Sequence, residues 1–166
     1  GDRVVFGSGS RVGIVDGFDA FIPSIPNDIN TNTAQVDTFY INLNTIGINM
    51  ISGISIDKNN KDHIIVVEDG YGSTSKVAKS LDGGITWNLI HNNLPEIPVF
   101  DCIIDENNSD NYILATLEGI YTSNDAGASW NADNSGMGKL PIYRIKQEWV
   151  LEEDCFVLLA ATIGNG

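Results

Sequence analysis

Short apolar runs, rich in β-branched and aromatic residues, recur along the whole chain and are bounded by Gly, Asn, Asp and Pro. That is the pattern of strands joined by tight turns. The runs predict strands near Val4–Phe6, Arg11–Val15, Thr38–Leu43, Ile51–Ile56, Ile64–Glu68, Val77–Ser80 and Trp87–Ile90. They continue near Val99–Asp105, Tyr112–Thr116, Gly119–Ser123, Ile142–Lys146 and Phe156–Ala161. No window keeps apolar residues at helical spacing over about ten residues, so an all-β fold is expected.

The turns repeat too. Ser80-Leu81-Asp82-Gly83-Gly84-Ile85-Thr86-Trp87 and Ser123-Asn124-Asp125-Ala126-Gly127-Ala128-Ser129-Trp130 share the pattern S-x-D-x-G-x-[ST]-W and start 43 residues apart. Pro98-Val99-Phe100 and Pro141-Ile142-Tyr143 keep the same offset, while Ile54–Asp62 and Cys102–Asp110 align at 48. The five extra residues fall in Asp69–Ser75. Each octet reads as a turn between strands. Gly84 and Gly127 supply a positive φ, Asp82 and Asp125 accept backbone N–H bonds, and Thr86 and Ser129 add a hydroxyl. Trp87 and Trp130 can bury their rings, with the indole N–H meeting a carbonyl.

The octets resemble the Asp-box of sialidases, sortilin-type receptors, xyloglucan-cleaving hydrolases and secreted bacterial propellers. That resemblance implies a β-propeller of four-stranded antiparallel blades, with the octets structural and peripheral. A repeat of about 40–45 residues is one blade. The blades expected are a degenerate first one over 1–49, two with octets over 50–93 and 94–139, and a truncated one over 140–166. The segment Phe21–Val36 reads as an insertion in the first. Fewer than four blades in 166 residues predict an incomplete ring: a fragment, or a part-ring that covers its open faces by self-association or with missing blades of the same chain.

Composition narrows the function classes. A net charge of −13, from 22 acidic and 9 basic residues, argues against nucleic acid and against an anionic membrane surface. The longest apolar run, Cys155–Ala161, is far shorter than a membrane span of about 18 residues. Cys102 and Cys155 lie 53 residues apart at non-equivalent repeat positions and read as two buried thiols rather than a bridge or a metal site. An extracellular or cell-surface location is implied by the resemblance alone.

Catalytic chemistry finds little support. Asp105–Asp110 begins like a calcium loop, but the sixth position is Asp110 rather than Gly and the twelfth Thr116 rather than Glu. Sialidase chemistry would need an Arg triad. The arginines are Arg3, Arg11 and Arg144, with Tyr143-Arg144-Ile145-Lys146 in place of the family's Arg-Ile-Pro motif. His63 and His91 read as surface histidines. No catalytic residue, metal ligand or cofactor is therefore expected.

One positional reading remains. Successive turns of an antiparallel blade alternate between the two faces of the disk, which separates the octets and the Asn-Asn turns from the opposite face. In the resembling proteins ligands meet that opposite face, so Glu68, Asp69, Tyr71, Asp101 and Arg144 are the candidate ligand-face residues. Two functions follow. One is a non-catalytic scaffold, adhesion or ligand-binding module with a carbohydrate or protein ligand. The alternative is a fragment of a sialidase-like or xyloglucanase-like hydrolase whose catalytic carboxylates lie partly outside the segment.

Overall fold

The computed structural model describes residues 3–16, 37–72, 74–150 and 155–162; the insertion expected over Phe21–Val36 lies outside them. They form β1 (Arg3–Ser8), β2 (Arg11–Asp16), β3 (Asp37–Asn42), β4 (Ile51–Ile56), β5 (Ile64–Glu68), β6 (Val77–Ser80), β7 (Asn88–Leu89), β8 (Val99–Ile104), β9 (Tyr112–Thr116), β10 (Gly119–Ser123), β11 (Asn131–Ala132), β12 (Ile142–Val150) and β13 (Cys155–Thr162). The one helical turn among them is the 3-10 segment Leu43–Ile46.

Strands pair strictly with their sequence neighbours, antiparallel throughout, in the orders β1-β2-β3, β4-β5-β6-β7, β8-β9-β10-β11 and β12-β13. The sheets stand side by side in an arc, with β4 against β8 and β8 against β12 at its inner edge. No ring closes among the described residues. The fold is the all-β arc of antiparallel sheets, the two middle ones four-stranded, expected of an incomplete propeller.

Burial on both faces of the middle sheets explains their unbroken apolar strands. Side chains of a strand alternate faces, and in β5 the alternation splits Ile64 and Val66 from Ile65 and Val67. The first pair joins Val12, Ile14 and Leu43 in a core between the first two sheets. The second joins Cys102, Tyr112, Leu114 and Trp130 in a core between the second and third. A third core, Ala115, Ile120, Ile142 and Ile145, seats β12 on the third sheet.

The inner strands β4, β8 and β12 each have one edge without a strand partner, where backbone N–H and C=O groups need other partners. Side chains of adjacent sheets supply several. Ser55 Oγ accepts from the Ile104 N–H at 3.0 Å, and Ser52 Oγ donates to the Val99 carbonyl at 2.6 Å. Asp101 Oδ2 accepts from the Ile145 N–H at 3.1 Å, and Gln147 Oε1 from the Glu106 N–H at 3.2 Å.

Several strands differ from their expected bounds: β1 spans Arg3–Ser8 rather than Val4–Phe6, β7 is Asn88–Leu89 rather than Trp87–Ile90, and β11 (Asn131–Ala132) matches no predicted strand. β12 runs to Val150 instead of Lys146, and β13 begins at Cys155. Their hairpin therefore carries four extra pairs, from Gln147↔Leu158 to Val150↔Cys155, with Trp149 edge-on to Phe156 at 4.8 Å.

Candidate functional site

Up to the tryptophan, the two octet turns share one side-chain hydrogen-bond network. In the first, Ser80 Oγ donates to Asp82 Oδ1 at 2.8 Å and accepts from the Gly84 N–H at 2.8 Å. Asp82 then accepts from the Thr86 N–H at 2.8 Å and the Thr86 hydroxyl at 2.5 Å. In the second, Ser123 Oγ bonds Asp125 Oδ1 at 2.7 Å and the Gly127 N–H at 2.9 Å. Asp125 accepts from the Ser129 N–H at 2.9 Å and the Ser129 hydroxyl at 2.6 Å. These bonds to the ionised form, those from Ser129 foremost, pull the Asp125 carboxyl down to about 2; the Thr86 bonds lower Asp82 in the same sense.

Gly84 and Gly127 hold φ of +91° and +86°. A Cβ on Gly127 would stand 2.6 Å from Ile90 Cδ1, and one on Gly84 2.3 Å from Ile14 Cδ1, so each octet presses against the preceding sheet. Trp130 is buried there and donates its indole N–H to the Ile90 carbonyl at 2.7 Å. Trp87 is half-buried and bonds the nearer Gly84 carbonyl at 2.8 Å.

The Asn-Asn hairpin turns sit directly beside the octets. The Gly83 N–H meets the Asp62 carbonyl and the Ala126 N–H the Asp110 carbonyl, both at 2.9 Å. His63, read from sequence as a surface residue, is instead buried, and so are both of its partners, Asp57 and Tyr112. Its Nδ1 lies 3.1 Å from Asp57 Oδ2 and its Nε2 2.9 Å from the Tyr112 hydroxyl on the next sheet. Burial pushes Asp57 up, but hydrogen bonds from Ser109, the Asn59 N–H and His63 outweigh it and hold the carboxyl below its ordinary value. Sequence reasoning missed this joint because Tyr112 is 49 residues away; the paralogous position carries Asn111, which points to local turn chemistry only.

At the opposite ends of the strands lie the loops that carry the ligand-face candidates. Asp69 and Arg144 line one shallow groove of about 230 Å³, together with Ser52, Phe100 and Tyr143. The Phe100 and Tyr143 rings stack in it at 4.6 Å and 29°. Glu68 and Tyr71 line a second depression, of about 590 Å³, between the 3-10 turn and the loop after β5. Asp101 stands between β8 and β12, where Oδ1 accepts from the Cys102 N–H at 3.0 Å and Oδ2 from the Ile145 N–H. The Arg144 guanidinium is 3.8 Å from Asp101 Oδ2 and mostly exposed, so this pair is loose.

Next to the second depression, Lys76 is buried under the loop, its ammonium donating to the Gly70 carbonyl. Burial lowers its pKa, while Glu68, Asp69 and Glu96 oppose the shift. His91 faces a smaller cavity beside Lys76, and its Nδ1 is buried without a partner among the described residues. Cys102 is buried as expected, Cys155 is half-buried rather than buried, the two form no disulfide, and burial pushes the Cys102 thiol up. Among the described residues no cluster of His, Cys, Asp and Glu could hold a metal ion, and no helix is long and apolar enough to cross a membrane.

The chain matches no protein-family model and no curated protein sequence. By structure it is similar to a GH74 xyloglucanase from Xanthomonas campestris, with a TM-score of 0.52 at 11% identity over 86% of this chain. It is also similar to YCF48 bound to a D1 peptide (TM-score 0.43, 16% identity, 66% of this chain and 34% of that one). A GH74 enzyme from Niastella koreensis is a third (TM-score 0.42, 21% identity, 73% of this chain and 22% of that one). The chain spans 23% of the Xanthomonas enzyme's length. That likeness shows the fold alone: the arc of sheets is a propeller arc.

Proposed function

We propose that the chain is a non-catalytic, ligand-binding segment of an extracellular or cell-surface β-propeller, a scaffold or adhesion module whose octets are Asp-box turns stapling the blade periphery. The observation that carries this reading is the state of the ligand-face carboxylates. Glycoside hydrolysis needs two carboxyl groups about 5–9.5 Å apart and free to act. Asp101 has both oxygens committed to backbone N–H groups, and Glu68 is buried with one oxygen bonded to the Asn49 N–H at 3.2 Å, which leaves Asp69 as the candidate carboxylate without a hydrogen bond among the described residues. What the face offers is the stacked Phe100–Tyr143 pair, with Arg144 and Asp69 beside it, a surface suited to a carbohydrate ring or a protein side chain.

A polysaccharide and peptide array probed with this chain is the test. Binding that falls at least tenfold in Tyr143→Ala and in Arg144→Ala is the expected result; equal binding by the variants would overturn the groove. The second reading, part of a glycoside hydrolase, is favoured by Asp69, which lines the aromatic groove and accepts no hydrogen bond among the described residues. Release of reducing sugar from xyloglucan or of sialic acid from a sialoside, abolished in Asp69→Asn, would establish that reading in place of the first.

A further inference from the structure

The depression between the 3-10 turn and the loop after β5 differs in chemistry from the aromatic groove. At its floor is Glu68, only 2% exposed. One oxygen, Oε2, accepts from the Asn49 N–H; the other, Oε1, is hydrogen-bonded to no described residue. Gly70 contributes to leaving it uncovered, because a Cβ there would stand 2.7 Å from Oε1. The rim carries Met50 and Tyr71, exposed by 58% and 77%.

Charge around the floor is out of balance. The cation that Glu68 acts on is Lys76, buried and turned to the Gly70 carbonyl. Three carboxylates, Glu68, Asp69 and Glu96, act on that one ammonium. Buried carboxylates are stable when paired and hydrogen-bonded, and among the described residues no donor meets Oε1. An exposed tyrosine ring beside the opening adds a face that attracts cations, and the net charge of −13 draws them to the surface.

We propose that this depression is a recognition pocket for an organic cation, an ammonium or guanidinium group that donates to Glu68 while Tyr71 lies against it. The inference rests on the reading that this face carries the ligand, but it uses different residues from the aromatic groove. The cation can come from a basic side chain of a protein ligand or from a free polyamine; the chemistry at Glu68 is the same.

The two methionines make the test local. Met50 sits at the pocket rim and Met137 on a turn of the third sheet, so methyl labelling gives one reporter in the pocket and one outside it. Blocked Gly-Arg-Gly and Gly-Lys-Gly peptides and spermidine are titrated at physiological salt. A saturable shift of the Met50 methyl with Met137 unmoved is expected, and none with the citrulline peptide. Glu68→Gln, which keeps an acceptor for Asn49, should weaken binding at least tenfold. Tyr71→Ala should weaken it about threefold or more, and the charge-matched control Asp133→Asn should stay within twofold. Tighter binding of peptide points to a protein ligand and tighter binding of spermidine to a free polyamine, and either ordering supports the pocket. Both methyls shifting together, or Glu68→Gln and Tyr71→Ala binding like the parent chain, would overturn it. Cation binding that survives in Tyr143→Ala stands even if the groove reading fails, and the reverse pattern sinks the pocket alone.

Discussion

Trp87 and Trp130 hold the same place in two copies of one octet, yet they bury different amounts. Trp130 is closed between sheets and tied to Ile90, whereas Trp87 is half-buried and tied to its own turn. Trp130→Ala should therefore cost about 3–5 kcal/mol and Trp87→Ala roughly half of that. Urea denaturation of the two variants checks the order; equal losses would mean that the rings are equally enclosed. The aspartates make a pH prediction. Asp125 titrates at about 2 in the folded chain against an ordinary 3.8. Its bonds thus support the fold fully above pH ~3.8 and are lost as pH falls through the folded value. A carboxyl carbon titration should give Asp125 a midpoint near 2, moving up toward the ordinary value in Ser129→Ala.

Among the elements, the joint between the second and third sheets gives the sharpest expectation. His63→Ala leaves the buried Asp57 carboxylate and Tyr112 hydroxyl each short of a partner, which costs about 1–3 kcal/mol per group. His63→Asn restores a bond to Asp57 of the kind that Asn111 makes to Asp105 and should recover at least half of the loss, measured from the urea midpoint at unchanged slope. Such joints mark what was and was not legible in the chain. Strands β5, β6, β9 and β10 were readable to the residue because apolar runs end at turns with their own chemistry, the octets and the Asn-Asn turns. The extension of β12 through Gln147, Glu148 and Trp149 was not, since no repeat copy has it and its polar residues mimic a turn. In the candidate site, the loop insertion pointed to Glu68, Asp69 and Tyr71. That Asp101 would be committed to the next sheet was hidden, because its partner, the Ile145 N–H, lies 44 residues on.

At the scale of the molecule, the two ends of the arc carry apolar side chains that no other described residue covers. Val4, Phe6 and Tyr40 stand exposed on the first sheet, with Phe6 edge-on to Tyr40, and Leu158 and Leu159 on β13. Adjacent apolar side chains of this kind are seldom left in water as a contiguous patch. The chain by itself is expected to self-associate at micromolar concentration, giving a mass that rises with concentration in sedimentation. Phe6→Ser combined with Tyr40→Ser should lower that association. A sharp monomer boundary across the range would show that the end faces do not seek partners.

The side chains that finish the inner strand edges have a consequence for how such a chain can change. Ser52 and Ser55 serve β8, Asp101 serves β12, and Gln147 reaches back to the turn after β8. The third and fourth sheets thus each leave part of their backbone to be completed by a neighbour. The repeats look interchangeable in sequence, but a sheet moved to another slot would arrive with the wrong donors and acceptors along its inner edge. Duplication or exchange of one repeat would have to carry the matching residue of the repeat next to it, so the unit of inheritance in this arc is the pair, not the blade.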